Sequence, residues 1–172
     1  MSADTFDTAL RFVLAWEGGE VDHPADPGGY TSRGVSLRFF RQINPRATAA
    51  DVKALTPIEV AAIYRDWFWT PAKCDRLPPA LALALFDTAV NMGVKTAAKL
   101  LQKALGVTAD GVIGQKTLEA IFKHREEDTL AEFFAERNWR YGNLSTFSTF
   151  GKGWYRRSAA CHAESMRLSN EV

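Results

Sequence analysis

The chain has few of the residues that build metal centres or disulfide frameworks: two cysteines and three histidines in 172 residues. Cys74 and Cys161 fit no metal-ligating or redox spacing. We read them as free, buried thiols, although sequence alone leaves a single bridge between them open. His23, His124 and His162 are scattered, and the His124-x-x-Glu127 spacing sits in a charged, solvated stretch, so no metal site is expected. No run of about 18 apolar residues exists, which excludes a membrane-spanning helix. The longest candidate, Pro78 to Met92, is interrupted by Asp87 and Asn91. Neither sign of charge dominates: 21 basic residues against 20 acidic ones leave +1, too little for a dedicated nucleic-acid binder. Low-complexity tracts and flexible linkers are also missing. With 47% hydrophobic and 24% charged residues the chain is an ordinary folding sequence, long enough to need no staple.

What is present is mostly helical periodicity. Phe6, Leu10, Val13 and Leu14 put an apolar stripe on a first helix, which Gly18-Gly19 should end. Residues 18–34 hold five glycines and two prolines, which predicts an irregular loop or small hairpin. Ser36 can cap a short helix to about Ile43. Thr56-Pro57-Ile58-Glu59 is a helix start with hydroxyl cap, N1 proline and capping-box glutamate, running to about Trp69. Further helices are expected from Pro78-Pro79 to Gly93, over 95–105, over 115–124, over 128–141 and, after a Gly151-Lys152-Gly153 break, over 154–168. The expected class is mainly α, with a small β or loop lobe near residues 20–37.

Charge is unevenly placed. Residues 1–31 carry six acids and one base, a balance of −5, whereas residues 92–172 carry twelve bases and nine acids, a balance of +3. Within the acidic part, Glu17 closes the first helix, Asp26 follows nine positions later, and Thr31 five after that. Glycosidic hydrolysis needs a proton donor on the leaving oxygen and a second carboxyl group that organises water or stabilises the developing cation. A general acid must hold its proton near neutral pH, which burial and nearby like charges both favour. A helix end gives the donor rigidity, and glycines let the following loop fold back toward it. Glu17, Asp26 and Thr31 are the candidate catalytic residues. If Asp26 activates water held by Thr31, the reaction inverts the anomeric centre, with the carboxyl groups roughly 6.5–9.5 Å apart. Tyr30 is a candidate sugar-stacking residue. Asp87 and Asn91, one helical turn apart on an apolar helix, either line a cleft floor as substrate contacts or satisfy buried backbone. Trp67, Phe68 and Trp69 are assigned to core packing. No cofactor is expected.

Glu17-Gly18-Gly19, then Asp26-Pro27-Gly28-Gly29-Tyr30-Thr31-Ser32-Arg33-Gly34-Val35, fit the pattern E-G-G followed by D-x-G-G-x-T-x-x-G-[IV]. With these motifs the chain resembles the phage-type N-acetylmuramidases of glycoside hydrolase family 108. Phe86-Asp87-Thr88-Ala89-Val90-Asn91-Met92-Gly93, Leu101 to Val107, Ala109 to Gly114 and Gly153-Trp154-Tyr155-Arg156-Arg157 are similar to the peptidoglycan-binding segment that follows in that family. The resemblance covers nearly the whole chain. It implies a lysozyme-like fold, a catalytic part over 1–92 and a helical peptidoglycan-binding segment over 93–172, packed as one unit. It further implies cleavage of the β-1,4 bond between N-acetylmuramic acid and N-acetylglucosamine, Glu17 as catalytic acid, and work as an endolysin. The order Glu, Asp, Thr also resembles the triad of smaller phage lysozymes, with one residue fewer before the threonine.

Peptidoglycan is the expected partner, met by a monomer without stable membrane insertion. The N-terminus shows no basic region followed by an apolar stretch, so no signal peptide is visible. We expect accumulation in the host cytoplasm and release to the cell wall by a separate holin-like protein. The rival readings are a non-catalytic wall-binding or secretion-assisting protein, and a chitosanase-like glycosidase. An intact acid-base set weighs against the first of these.

Overall fold

The computed structural model describes residues 3–17 and 30–171. They belong to two compact units, one of Leu10–Arg65 and one of Met1–Ala9 with Asp66–Val172. Helix α1 (Ala3–Glu17) contributes to both. The expected glycine terminator at 18–19 lies outside the described residues.

In the smaller unit, β1 (Thr31–Ser32) and β2 (Val35–Ser36) form an antiparallel hairpin with Thr31 opposite Ser36 and Ser32 opposite Val35. Two residues, Arg33 and Gly34, make the turn, both with positive φ (50° and 76°). That is the primed turn whose twist matches a right-handed hairpin. The Leu37 amide donates to the Tyr30 carbonyl at 2.8 Å and extends the ladder by one bond. Ser36 then caps α2 (Leu37–Ile43) through the Phe39 amide, as expected. An additional helix, α3 (Ala49–Ala54), starts at a capping box between Thr48 and Asp51. The expected box between Thr56 and Glu59 opens α4 (Pro57–Tyr64), with Glu59 accepting from the Thr56 amide at 2.7 Å. The helical path continues through a π-helical turn, Arg65–Trp69, so its reach to Trp69 agrees with the sequence reading.

The larger unit is built around α5 (Pro79–Met92), in which every residue from Ala80 to Ala89 is buried. A helix apolar on all sides must be surrounded. It is packed by α6 (Val94–Ala104), α8 (Glu126–Gly142) and α9 (Phe147–Ser169), with a short α7 (Gln115–Ile121) between α6 and α8. Before α5, a 3-10 turn at Cys74–Arg76 follows Trp69. Phe6, Trp69 and Phe86 form an aromatic cluster with centroids 5.2–5.9 Å apart, and the Trp69 indole N–H donates to Asp75 at 2.7 Å. Trp69 is buried, as expected, while Trp67 is exposed.

One boundary differs clearly from its expectation. The glycines at 151 and 153 do not break the last helix, which begins at Phe147 and runs through both. The Phe147 ring covers Gly151 so closely that an added Cβ would lie 2.5 Å from it, and Phe147 also meets Tyr155 at 5.2 Å. Aromatic contacts one and two turns apart outweigh the roughly 1 kcal/mol that a helical glycine costs. Both cysteines are buried and free, and burial pushes both thiols up.

Candidate active site

The end of α1 and the tip of the hairpin meet in the smaller unit. Gly34 has a left-handed backbone, and a Cβ placed on it would fall 2.6 Å from the Glu17 Cβ and still closer to the Tyr64 hydroxyl. Glycine is therefore required there twice, for its φ and for lack of space. The hairpin turn is pressed onto the first carbons of the Glu17 side chain, which is half-buried at the helix end. A carboxylate at that end opposes the helix dipole, so the position is not one that stability selects. Trp16, the residue before Glu17, is 36% exposed and packs against Phe12 at 6.3 Å between centroids.

Thr31 lies half-buried in β1, two residues before the turn, and Ser32 beside it is buried. The Arg33 guanidinium donates to the Leu55 carbonyl, tying the turn to the end of α3 and holding Arg33 in its left-handed conformation. Tyr30 is half-buried next to Thr31. Asp26 lies outside the described residues. Thus Glu17 and the strand bearing Thr31 are brought together by the Gly34 contact. Two supports had no signal in the sequence: Tyr64 reads as one more apolar helix position, and Arg33 as a surface charge.

Asp87 and Asn91 sit in the larger unit. Asp87 is fully buried, and its carboxylate faces two guanidinium groups: Arg137 at 2.7 Å and Arg157 at 2.8 Å. Arg137, on α8, is itself fully buried, and the Asp87 charge holds its guanidinium firmly protonated against the desolvation that opposes it. Arg157 comes from α9. Asp87 therefore joins three helices inside the core, with its oxygens facing the two arginines. Asn91, one turn on, is exposed and accepts from the Tyr141 hydroxyl at 2.7 Å. That hydroxyl also lies 3.2 Å from Arg137.

The loop between α6 and α7 is closed by one side chain. Gln102 is 1% exposed; its amide nitrogen donates to Asp110 at 2.7 Å and to the Val112 carbonyl at 3.0 Å, while its oxygen accepts from the Gly111 amide at 2.7 Å. The Gln102 hydrogen bond, helped by the Val112 amide, holds the Asp110 carboxyl below the usual range.

Comparison with known proteins gives two adjoining family matches. Residues 10–93 match the family described as glycosyl hydrolase 108, and residues 96–159 match a predicted peptidoglycan domain. Among solved structures the chain is similar to that of Brucella abortus SagA, with 40% identity and a TM-score of 0.88 over 98% of this chain and 97% of that one. No curated protein sequence matches the chain.

Proposed function

The chain belongs to the glycosyl hydrolase 108 family, a glycoside hydrolase acting on peptidoglycan, and on that premise we propose that it cleaves the β-1,4 bond between N-acetylmuramic acid and N-acetylglucosamine. Glu17 acts as the general acid and protonates the departing glycosidic oxygen. Asp26 takes a proton from the attacking water, and the Thr31 hydroxyl holds that water in line. Because one carboxyl donates while the other activates solvent, the product is inverted at its anomeric carbon. The observation that supports this reading best is the contact of Gly34 with the Glu17 side chain. It fixes a helix-borne acid against the strand that carries Thr31, and preorganisation of this kind is what positioned acid catalysis requires.

The test is Glu17→Gln assayed on purified sacculi. Loss of a positioned general acid lowers turnover roughly a hundredfold to ten-thousandfold, with thermal stability unchanged. Full activity in that variant defeats the proposal. Mass spectrometry of the released fragments identifies which sugar carries the new reducing end; N-acetylglucosamine there would overturn the bond assignment, and activity confined to chitosan would favour the chitosanase-like reading. As part of the same proposal, the protein works as an endolysin that reaches the wall through a separate holin-like protein. Export of the lone protein from intact cells would contradict that part.

A further inference from the structure

Trp139 is the most exposed large aromatic among the described residues, at 72%. It stands on α8 beside α6, at a groove of about 250 Å³ lined by Leu100, Lys103, Glu136, Arg140, Asn143 and Leu144. Lys103 and Glu136 pair at 3.3 Å across the two helices. Asn143 donates to the Trp139 carbonyl at 2.7 Å, fixing the amide one turn below the indole. An indole left this open to water is not needed by the core, because Leu100 and Phe133 fill the buried faces of the same two helices. A flat π-face with charged and amide groups around it is a poor match for an apolar protein partner, whose surface would leave those groups unpaired. It does match an amino sugar. The C–H face of a β-linked pyranose is flat, apolar and slightly positive, complementary to the negative face of indole. Its hydroxyl and N-acetyl groups lie at the ring edge, within reach of the polar rim.

We propose that this groove is a glycan-holding subsite, with Trp139 as stacking platform and Lys103, Glu136, Arg140 and Asn143 as hydrogen-bonding rim. Its ligand is the sugar strand of peptidoglycan. All the lining residues fall within the region matched to a peptidoglycan domain, and the inference rests on peptidoglycan being the substrate.

The test uses the full chain on ice with two probes: insoluble sacculi in a sedimentation assay, and glycan strands stripped of their peptide stems in affinity electrophoresis. Trp139→Ala should weaken binding to both by about tenfold, and Trp139→Phe should keep most of it. Phe122→Ala removes a similarly exposed aromatic outside the groove and should bind as the parent does. Melting temperatures check that all three variants are folded. Equal binding of Trp139→Ala and parent overturns the subsite. Binding that disappears when the stems are removed overturns its assignment to the glycan. Sacculi bound through Trp139 but not cleaved would sink the proposed hydrolysis and leave this subsite standing, so the two failures are distinct.

Discussion

Gly34→Ala measures how firmly the hairpin clamps Glu17, the proposed general acid. The added methyl meets the Glu17 Cβ at 2.6 Å and the Tyr64 hydroxyl closer still, on a backbone with φ of 76°. Left-handed strain costs about 1–2 kcal/mol for an alanine, and overpacking a tight contact about 1–3 kcal/mol more. The sum, roughly 2–5 kcal/mol, should lower the melting temperature by several degrees and up to roughly 20 °C for a chain of this size. A matched control exists in Gly106, whose φ is 65° but whose added Cβ would meet nothing within 4 Å. Gly106→Ala carries the strain without the collision, so the difference between the two variants isolates the contact with Glu17 and Tyr64. Moving a positioned acid by about 1 Å costs roughly a hundredfold in rate. Hydrolysis of sacculi, assayed well below both melting temperatures, should therefore fall about a hundredfold in Gly34→Ala and stay near the parent value in Gly106→Ala. Equal stability and equal activity of the two variants would refute the clamp.

Asp87→Ala leaves two buried guanidinium groups without their counter-ion, and breaking a buried pair in this way costs about 3–5 kcal/mol. Thermal unfolding should show a fall of roughly 6–20 °C; a melting point within about 2 °C of the parent would show that the ion cluster contributes little. The Asp110 carboxyl is held low by Gln102, so its contribution to stability is present above the ordinary carboxylate range and is lost as pH falls through the lowered folded-state value. Melting curves taken between about pH 5 and pH 2 should therefore fall less steeply for Asp110→Asn than for the parent, and parallel curves would contradict this.

What could be read from residues alone follows the range of the forces involved. The Thr56–Glu59 capping box is complete within four residues, and it forms as written. The box between Thr48 and Asp51 obeys the same rule, yet Asn44-Pro45 just before it suggests a loop and hides α3. Glu17 stands out by motif because its spacing to Asp26 and Thr31 is local in the sequence. Asp87 could not be given its role that way. Its partners lie 50 and 70 residues further on, and nothing in Pro78 to Met92 announces that two arginines will close over it. The same limit applies to Tyr64, which touches Gly34 only after the hairpin has folded back. The glycine at 151 misleads in the opposite direction, since a breaker at the level of propensity is overruled by the Phe147 ring lying on it.

The enclosure of α5 from Ala80 to Ala89 bears on how such enzymes are taken apart and recombined. By homology the seam between hydrolase and wall-targeting halves falls near residue 94, immediately after this helix. Its neighbours α6, α8 and α9 all lie beyond that seam. A fragment cut there would carry a bare greasy rod into solvent and aggregate, and a chimera joined there would inherit a mismatched interior. The boundary between the two family matches is therefore not a boundary of the packed core around α5.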